Sequence, residues 1–405
     1  MKSDKTTPNV PTLRFREFTD GWRLMPLKKL LCFQNGINAD SDKYGKGVKF
    51  ISVSDILNNQ YITYDCIKGL IDIDEKTMEK FLVEYGDMLF QRSSETFEDI
   101  GRANVYLDKE HPATFGGFVI RGKKISEYNP LFFRYLLCTP NARKQTVRMG
   151  AGAQHYNIGQ DGLGKISLYF PAIQEQQKIA AFLSAIDDRI AVQNKIIEDL
   201  KVLKKELCAK LFGSPLCGRI IAIEQVADIY GGYAFNSKAY VNKGKYKIVT
   251  IGNVTGDKYI SGNYNTIDRL PNNIQKPQVL SKGDILVSLT GNVGRISIVD
   301  GDEYLLNQRV AKLGIEDDLT KEYIYQYLSN SSFEKDMINA GQGAAQKNIK
   351  NQDILSYCIR FPTDQTALEN IDKLLSLYDM RITSEKAILS NLILQKSYYL
   401  RAMFI

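Results

Sequence analysis

The side chains best suited to chemistry in this sequence are hydrogen-bonding groups rather than nucleophiles or metal ligands. One cluster is Gln91-Arg92-Ser93-Ser94, at the end of a strand-like run. A second is Asn307-Gln308-Arg309, with Ser288, Thr290 and Asn292 upstream of it. Arginine can take both acceptors of a guanine edge at once, and glutamine or asparagine can pair with adenine in the same two-pronged way. Two glycine-rich loops add Gln154, His155 and Tyr156 in one place and Gln346 and Lys347 in another. Their small residues allow close backbone approach. Arg102 and Arg295 each follow a glycine. They are placed either to hold phosphate, which positions a duplex without reading it, or to form an ion pair within their own domain. For any single residue here a solvated turn is the simpler reading. As a set, the loops point to contact with DNA.

Covalent chemistry has little to work with. The chain has two histidines, His111 and His155, and six cysteines, none in a C-x-x-C pair. Zinc or haem ligation therefore lacks material. No G-x-x-x-x-G-K-[ST] loop occurs, and Gly252 to Lys258 (GNVTGDK) has the wrong spacing for one. No Asn/Asp-Pro-Pro-aromatic methyltransferase signature appears. Asp72, Asp74 and Glu75 cluster without a matching nuclease arrangement, as a solvated turn would. The formal net charge of +7 permits nucleic-acid binding without demanding it. Scattered free cysteines fit a reducing cytoplasm. No apolar run approaches the roughly 20 residues needed to span a bilayer, and the polar start, Met1 to Pro11, lacks the apolar core of a signal peptide. A cytoplasmic protein without membrane contact is expected.

The elements that must position these loops repeat once along the chain. Gly150 to Ile158 and Gly341 to Ile349 both read G-x-G-A-x-x-x-N-I, an offset of 191 residues (150 against 341). At the same offset Phe170-Pro171 meets Phe361-Pro362. Upstream, the Gly-Asp pair at Gly86-Asp87 resembles Gly283-Asp284, and Ile100-Gly101-Arg102 resembles Val293-Gly294-Arg295. In each copy short β-branched and aromatic runs alternate with turn residues, then give way to a helical stretch. This predicts a mixed α/β (α+β) fold with two similar globular heads.

A long helix follows each head. From Ile179 the apolar positions run Leu183, Ile186, Ile190, Ile197, Leu200, Leu203, Leu207 and Leu211, with polar Gln193 at one skipped site. The second helix repeats the pattern at Ile371, Leu375, Tyr378, Ile382, Leu389, Leu392, Tyr399 and Met403, with Glu385 in the equivalent polar place. Such spacing is a coiled-coil seam. Two matched helices of about 33 residues, about 50 Å long, are expected to pair with each other, antiparallel in preference to parallel. The division is residues 1–170, first recognition head; 171–215, first spacer helix; 216–360, second head; 361–405, second spacer helix. Two heads on a pseudo-twofold strut, set about one 34 Å duplex turn apart, would read two different half-sites across a fixed gap.

The stretch FPAIQEQQKIAAFLSAIDDRI, Phe170 to Ile190, resembles the conserved region of Type I restriction–modification specificity subunits. Pro171, Glu175, Gln176, Ile179, Leu183, Asp187 and Ile190 match that pattern. Pro11 to Phe15 with Trp22, and Gly231 to Phe235, also resemble such subunits. The resemblance covers nearly the whole chain. It implies target recognition domains joined by conserved spacers, with the matching residues as candidate subunit contacts. It implies two modification subunits that bind S-adenosylmethionine and methylate adenine N6, and restriction subunits that use ATP and Mg2+, while this chain binds no cofactor and catalyses nothing. The second copy of the motif departs from the pattern: Phe361 to Ala367 keeps the proline but lacks the Glu-Gln pair in register. The rival readings are a self-contained DNA-modifying enzyme, against which the absent motifs argue, and a two-headed scaffold that ignores nucleic acid. Inserting one matched heptad in both helices is expected to lengthen the unread gap between half-sites. An unchanged gap, read by sequencing methylated DNA, would remove the ruler.

Overall fold

The computed structural model describes residues 9–152, 156–341 and 348–405. Packing divides the chain into two units, Met1–Asn194 with Ile388–Ile405, and Lys195–Ala387. Each unit therefore holds one head and parts of both long helices.

The head of the first unit is built on a four-stranded antiparallel sheet of β1 (Leu31–Asn35), β2 (Met88–Gln91), β3 (Ala103–Val105) and β4 (Val119–Lys124), in the spatial order β1-β4-β2-β3. All four residues of β2 are buried because both of its faces are covered. Met88 and Phe90 point into a core shared with helices, while Leu89 points into a second core against a smaller sheet. That is the period-two geometry of a strand between two layers. Helix α1 (Pro130–Cys138) covers the first face. Asn129 caps it by accepting from the Phe132 amide, and Pro130 occupies the first turn, where a missing N–H costs nothing.

Helix α2 (Ile173–Phe212) leaves this head and runs for 40 residues. The second unit repeats the plan. Its sheet comprises β5 (Asp228–Gly231), β6 (Ile285–Ser288), β7 (Ile296–Ile298) and β8 (Val310–Gly314), in the order β5-β8-β6-β7. Ile285 and Val287 face the helices and Leu286 the smaller sheet. Helix α3 (Asp318–Leu328) stands where α1 stands in the first head, capped by Asp317. Helix α4 (Gln365–Ala402) has 38 residues. Both long helices exceed the expected 33 residues or so.

Within each unit the long helices pair antiparallel. In the first, Phe182 of α2 meets Tyr399 of α4 with ring centroids 4.9 Å apart, and Asp187 meets Lys396 at 2.5 Å. Residue numbers thus rise along one helix as they fall along the other. In the second, the end of α2 (Cys208, Phe212) shares a core with the start of α4 (Ile371, Leu375). The returning helix end closes each head in the same way. Phe404 stacks on Phe132 of α1 at 5.4 Å, and Phe212 packs edge-on against Tyr323 of α3 at 5.7 Å.

One part of the expected seam is displaced. Leu203 is half exposed, and its neighbour Lys204, read from sequence as an outer-face charge, is turned inward. The heptad continues without a skip through Ile197, Leu200, Lys204 and Leu207, so two polar residues, Gln193 and Lys204, lie in the α2 seam. Glu385 and Lys396 hold the corresponding places in α4. The lysines are held by buried carboxylates. Lys396 meets Asp187, which also accepts from the Tyr135 hydroxyl at 2.8 Å. Lys204 meets Asp379 at 2.6 Å, and Asp379 also accepts from the Gln326 amide at 2.7 Å.

Removing one partner of such a pair strands a charge in the interior, which costs several kcal/mol. Asp187→Ala and Asp379→Ala are each expected to lower stability by about 3 kcal/mol, read as a shift of the denaturant midpoint at unchanged slope. A shift below about 1 kcal/mol would place these pairs among ordinary surface ion pairs.

Candidate nucleic-acid interface

In each head the candidate loops meet at one end of the main sheet, where its strands begin and finish. In the first, the Gln91 amide donates to the Arg102 carbonyl at 2.8 Å and the Gly101 amide to the Gln91 carbonyl at 3.0 Å. In the second, the Ser288 amide donates to Arg295 at 3.0 Å and Gly294 to Ser288 at 2.9 Å. The loop after β2 then picks up the glycine-rich loop, with Ile158 donating to the Arg92 carbonyl at 3.0 Å; Ile349 donates to Leu289 at the same distance. Finally, Arg92 donates to the Phe118 carbonyl at 2.9 Å and Leu289 to Arg309 at 3.0 Å. The repeat is therefore carried by backbone contacts as well as by letters.

The third segment is a tight turn in both copies. Val119 donates back to Gly116 at 2.8 Å and Val310 to Asn307 at 2.9 Å. Each turn is seated against a glycine of the preceding layer. A Cβ on Gly36 would lie 2.1 Å from the Gly116 oxygen, and one on Gly232 would lie 2.0 Å from the Asn307 oxygen. Gly101 and Gly294 have φ of +64° and +79°, where L side chains are strained. Each also presses on a neighbouring helix, against Thr146 and Met337 respectively.

The side chains on this shared frame differ. Arg92 donates to the Gly117 carbonyl at 3.2 Å, so it holds the turn. Ser93 and Ser94 pair with Asn157 and Tyr156 in a short antiparallel ladder. Gln91 is buried beneath an open cleft of about 440 Å³; its side-chain Nε2 donates to the Ser93 carbonyl and its side-chain Oε1 has no hydrogen-bond partner. In the second head Gln308, Arg309 and Asn292 are exposed and Asn307 half-buried. Ser288 is fully buried, its hydroxyl donating to the Asn292 carbonyl. As a surface reader Ser288 is thus corrected to a brace of its own loop. The Thr290 hydroxyl oxygen is buried without a partner.

Arg102 pairs with Asp99 at 2.6 Å and Arg295 with Glu334 at 3.2 Å. Of the two readings left open by sequence, the intradomain ion pair is the one these contacts display. Hydrogen bonding by Thr96, and then by Arg102, holds the Asp99 carboxyl below its usual pKa. Gln154, His155, Gln346 and Lys347 lie outside the described residues. Sequence reasoning missed Phe118, the counterpart of Arg309 at the 191-residue offset (118 against 309). Gly116-Gly117 was the available turn signal.

The family model for the Type I restriction modification DNA specificity domain matches the chain twice, at residues 20–202 and 219–393. The chain belongs to this family. Among relatives, it is 28% identical over 286 residues to the Type I restriction enzyme MjaVIII specificity subunit of Methanocaldococcus jannaschii, a match spanning 63% of this chain and 65% of that protein. It is 24% identical over 382 residues to the putative MjaX specificity subunit of the same organism, covering 87% and 86%. In fold it is similar to the S subunit of a Type I system from M. genitalium, with a TM-score of 0.57 at 15% identity over 98% of this chain and 99% of the other. A second solved chain, from work on complex assembly and conformational transition of the Type I system, has a TM-score of 0.56 at 15% identity, over 94% and 97%.

The family-like motif that opens α2 is largely turned into the protein's own interior. Glu175 accepts from both Nε and Nη2 of Arg14 at 2.7 Å. Gln176 accepts from the Asn129 amide at 3.0 Å and donates to the Pro171 carbonyl at 2.9 Å. Pro171, Ile179, Leu183 and Asp187 are buried and Ile190 lies at the core edge. As direct subunit contacts the six buried residues give way to an internal role, fastening the specificity domain to its helix, while Ile190 is only half-buried.

The glycine seats supply a test of the duplicated frame. Gly36→Ala and Gly232→Ala should each lower stability by about 1–3 kcal/mol, the usual cost of overpacking, measured by denaturant unfolding. A clear cost at one glycine and none at the other would break the equivalence of the two turns.

Proposed function

We propose that this chain reads a bipartite, asymmetric DNA site for a Type I restriction–modification complex, each specificity domain addressing one half-site. The observation that carries this reading is the pair of tips at the strand ends, matched in backbone hydrogen bonds and different in side chains. One scaffold used twice with different surface groups suits two different half-sites. The grooves of a duplex are read by side chains that reach base edges, and the backbone frame has only to hold them steady.

The chain's own part is placement rather than catalysis. Two modification subunits would bring S-adenosylmethionine and methylate adenine N6. The target base must leave the stack for that chemistry, and this chain would hold the duplex while the partner extrudes it. Restriction subunits would bring ATP and Mg2+ for translocation and cleavage. Since the motif that opens α2 is largely consumed internally, partner docking falls to the exposed apolar side chains of the long helices. On α4 these include Leu374, Leu377 and Met380, and further along Leu394 and Tyr398. Such residues on a helix face mark an interaction surface. A cytoplasmic setting accords with six unpaired cysteines. Among the described residues no helix is long and apolar enough to cross a membrane.

Replacing the first head with that of another family member, in cells carrying the partner subunits, should change one half-site in the methylated-base pattern of genomic DNA. A change in both half-sites would contradict independent heads. No methylation attributable to the chain, with or without exchange, would remove the DNA reading altogether.

A further inference from the structure

The two tip turns occupy the same place on the same frame and end in opposite chemistries. Phe118 and Arg309 are both third residues of their turns, and both backbones are fixed by equivalent hydrogen bonds. The Phe118 ring is 71% exposed. Leaving an aromatic ring in water forgoes the burial energy that placed so many other rings inside. Its Gly116-Gly117 lead is pinned by Gly36 and by the Arg92 guanidinium, so the turn presents the ring outward at a fixed place.

The ring stands on the rim of the 440 Å³ cleft whose other walls include Ser93, Ser94, Glu95 and Asp99. That cleft is rich in hydrogen-bond acceptors. Its floor holds the Gln91 side-chain oxygen without a partner, and its rim carries two carboxylates, Glu95 and the Asp99 that pairs with Arg102. With Asp99 already neutralised by Arg102, the Glu95 carboxylate is the charge that repels phosphate, and the cleft suits a base edge better than a backbone. An A·T pair offers the complement in the major groove: the adenine amino group donates, and beside it the thymine methyl is apolar. The second tip offers the reverse. Arg309 and Gln308 are exposed there, and a guanidinium matches the paired acceptors of guanine.

We propose that residues 118 and 309 are the matched specificity-determining contacts of the two heads. Phe118 packs on the thymine methyl of an A·T pair over the acceptor-lined cleft, and Arg309 takes the guanine edge of a G·C pair in the other half-site. This rests on the DNA reading given above and assigns base classes within it.

The test uses the full chain assembled with its modification subunits and a duplex library randomised across the target, with methylated molecules sequenced. Phe118→Ala should relax preference at one A·T position of one half-site by about fourfold, the worth of a buried methyl, while Phe118→Leu keeps it. Arg309→Lys, which retains charge but not the two-pronged geometry, should relax one G·C position of the other half-site by tenfold or more. A uniform loss across sequences would make either residue a backbone contact and overturn its assignment. Unchanged profiles, or one substitution altering both half-sites, would overturn the proposal. In those cases the unsubstituted complex still shows its bipartite preference. A complex with no sequence preference at all would fail the DNA reading instead.

Discussion

Each unit depends on a buried carboxylate that ties three pieces of chain together. Asp187, on α2, takes the Tyr135 hydroxyl of the head and the Lys396 ammonium of α4. Asp379, on α4, takes the Gln326 amide of its own head and the Lys204 ammonium of α2. Tyr135 and Gln326 are counterparts in the repeat, as are the two lysines. A charged pair in a helix seam contributes little net stability, because desolvation offsets most of the attraction. What it does is penalise every other register, since any slip leaves a charge buried alone. The second site adds Lys258, 3.5 Å from Asp379 and 3.4 Å from Glu322. Burial works against that ammonium's charge, but the two carboxylates outweigh it and hold its pKa above the usual lysine value.

With helix register set, the remaining contacts follow in order. The returning ends of α4 and α2 bring Phe404 and Phe212 onto Phe132 and Tyr323. Those aromatic helices cover the main sheets, and one end of each sheet carries the candidate loops. Frame and tip side chains are separable, because the bonds that hold each turn run through the backbone. The turns show how far the separation goes. Gly116-Gly117-Phe118 and Asn307-Gln308-Arg309 share no letter, yet make the same backbone bonds.

Much of this was open to reading from letters alone. The repeated G-x-G-A-x-x-x-N-I loops, the paired Gly-Arg steps and the two seams disclosed a duplicated α+β chain with matched helices, because periodicity and glycine placement are local consequences of backbone geometry. The seam failed at one point. Leu203 is apolar and Lys204 charged, so hydrophobic pattern chose the wrong neighbour; only the carboxylate on the facing helix makes the lysine the inward residue. The family-like Glu175, Gln176 and Asp187 drew attention as contacts for other subunits and proved to be internal fasteners, because their partners Arg14, Asn129 and Tyr135 are distant in sequence. Ser288 looked like a reader and is a buried brace.

Sequence by itself determined the element types, the duplication, the family and the absence of recognisable catalytic motifs, since each is written in short-range spacing or in residue identity. Tertiary structure alone decided which polar groups face inward, which loops share one end of a sheet, and that Phe118 stands exposed beside a cleft. Those facts turn on contacts between residues far apart along the chain. Burial and pairing are properties of such contacts, and no local window of letters contains them.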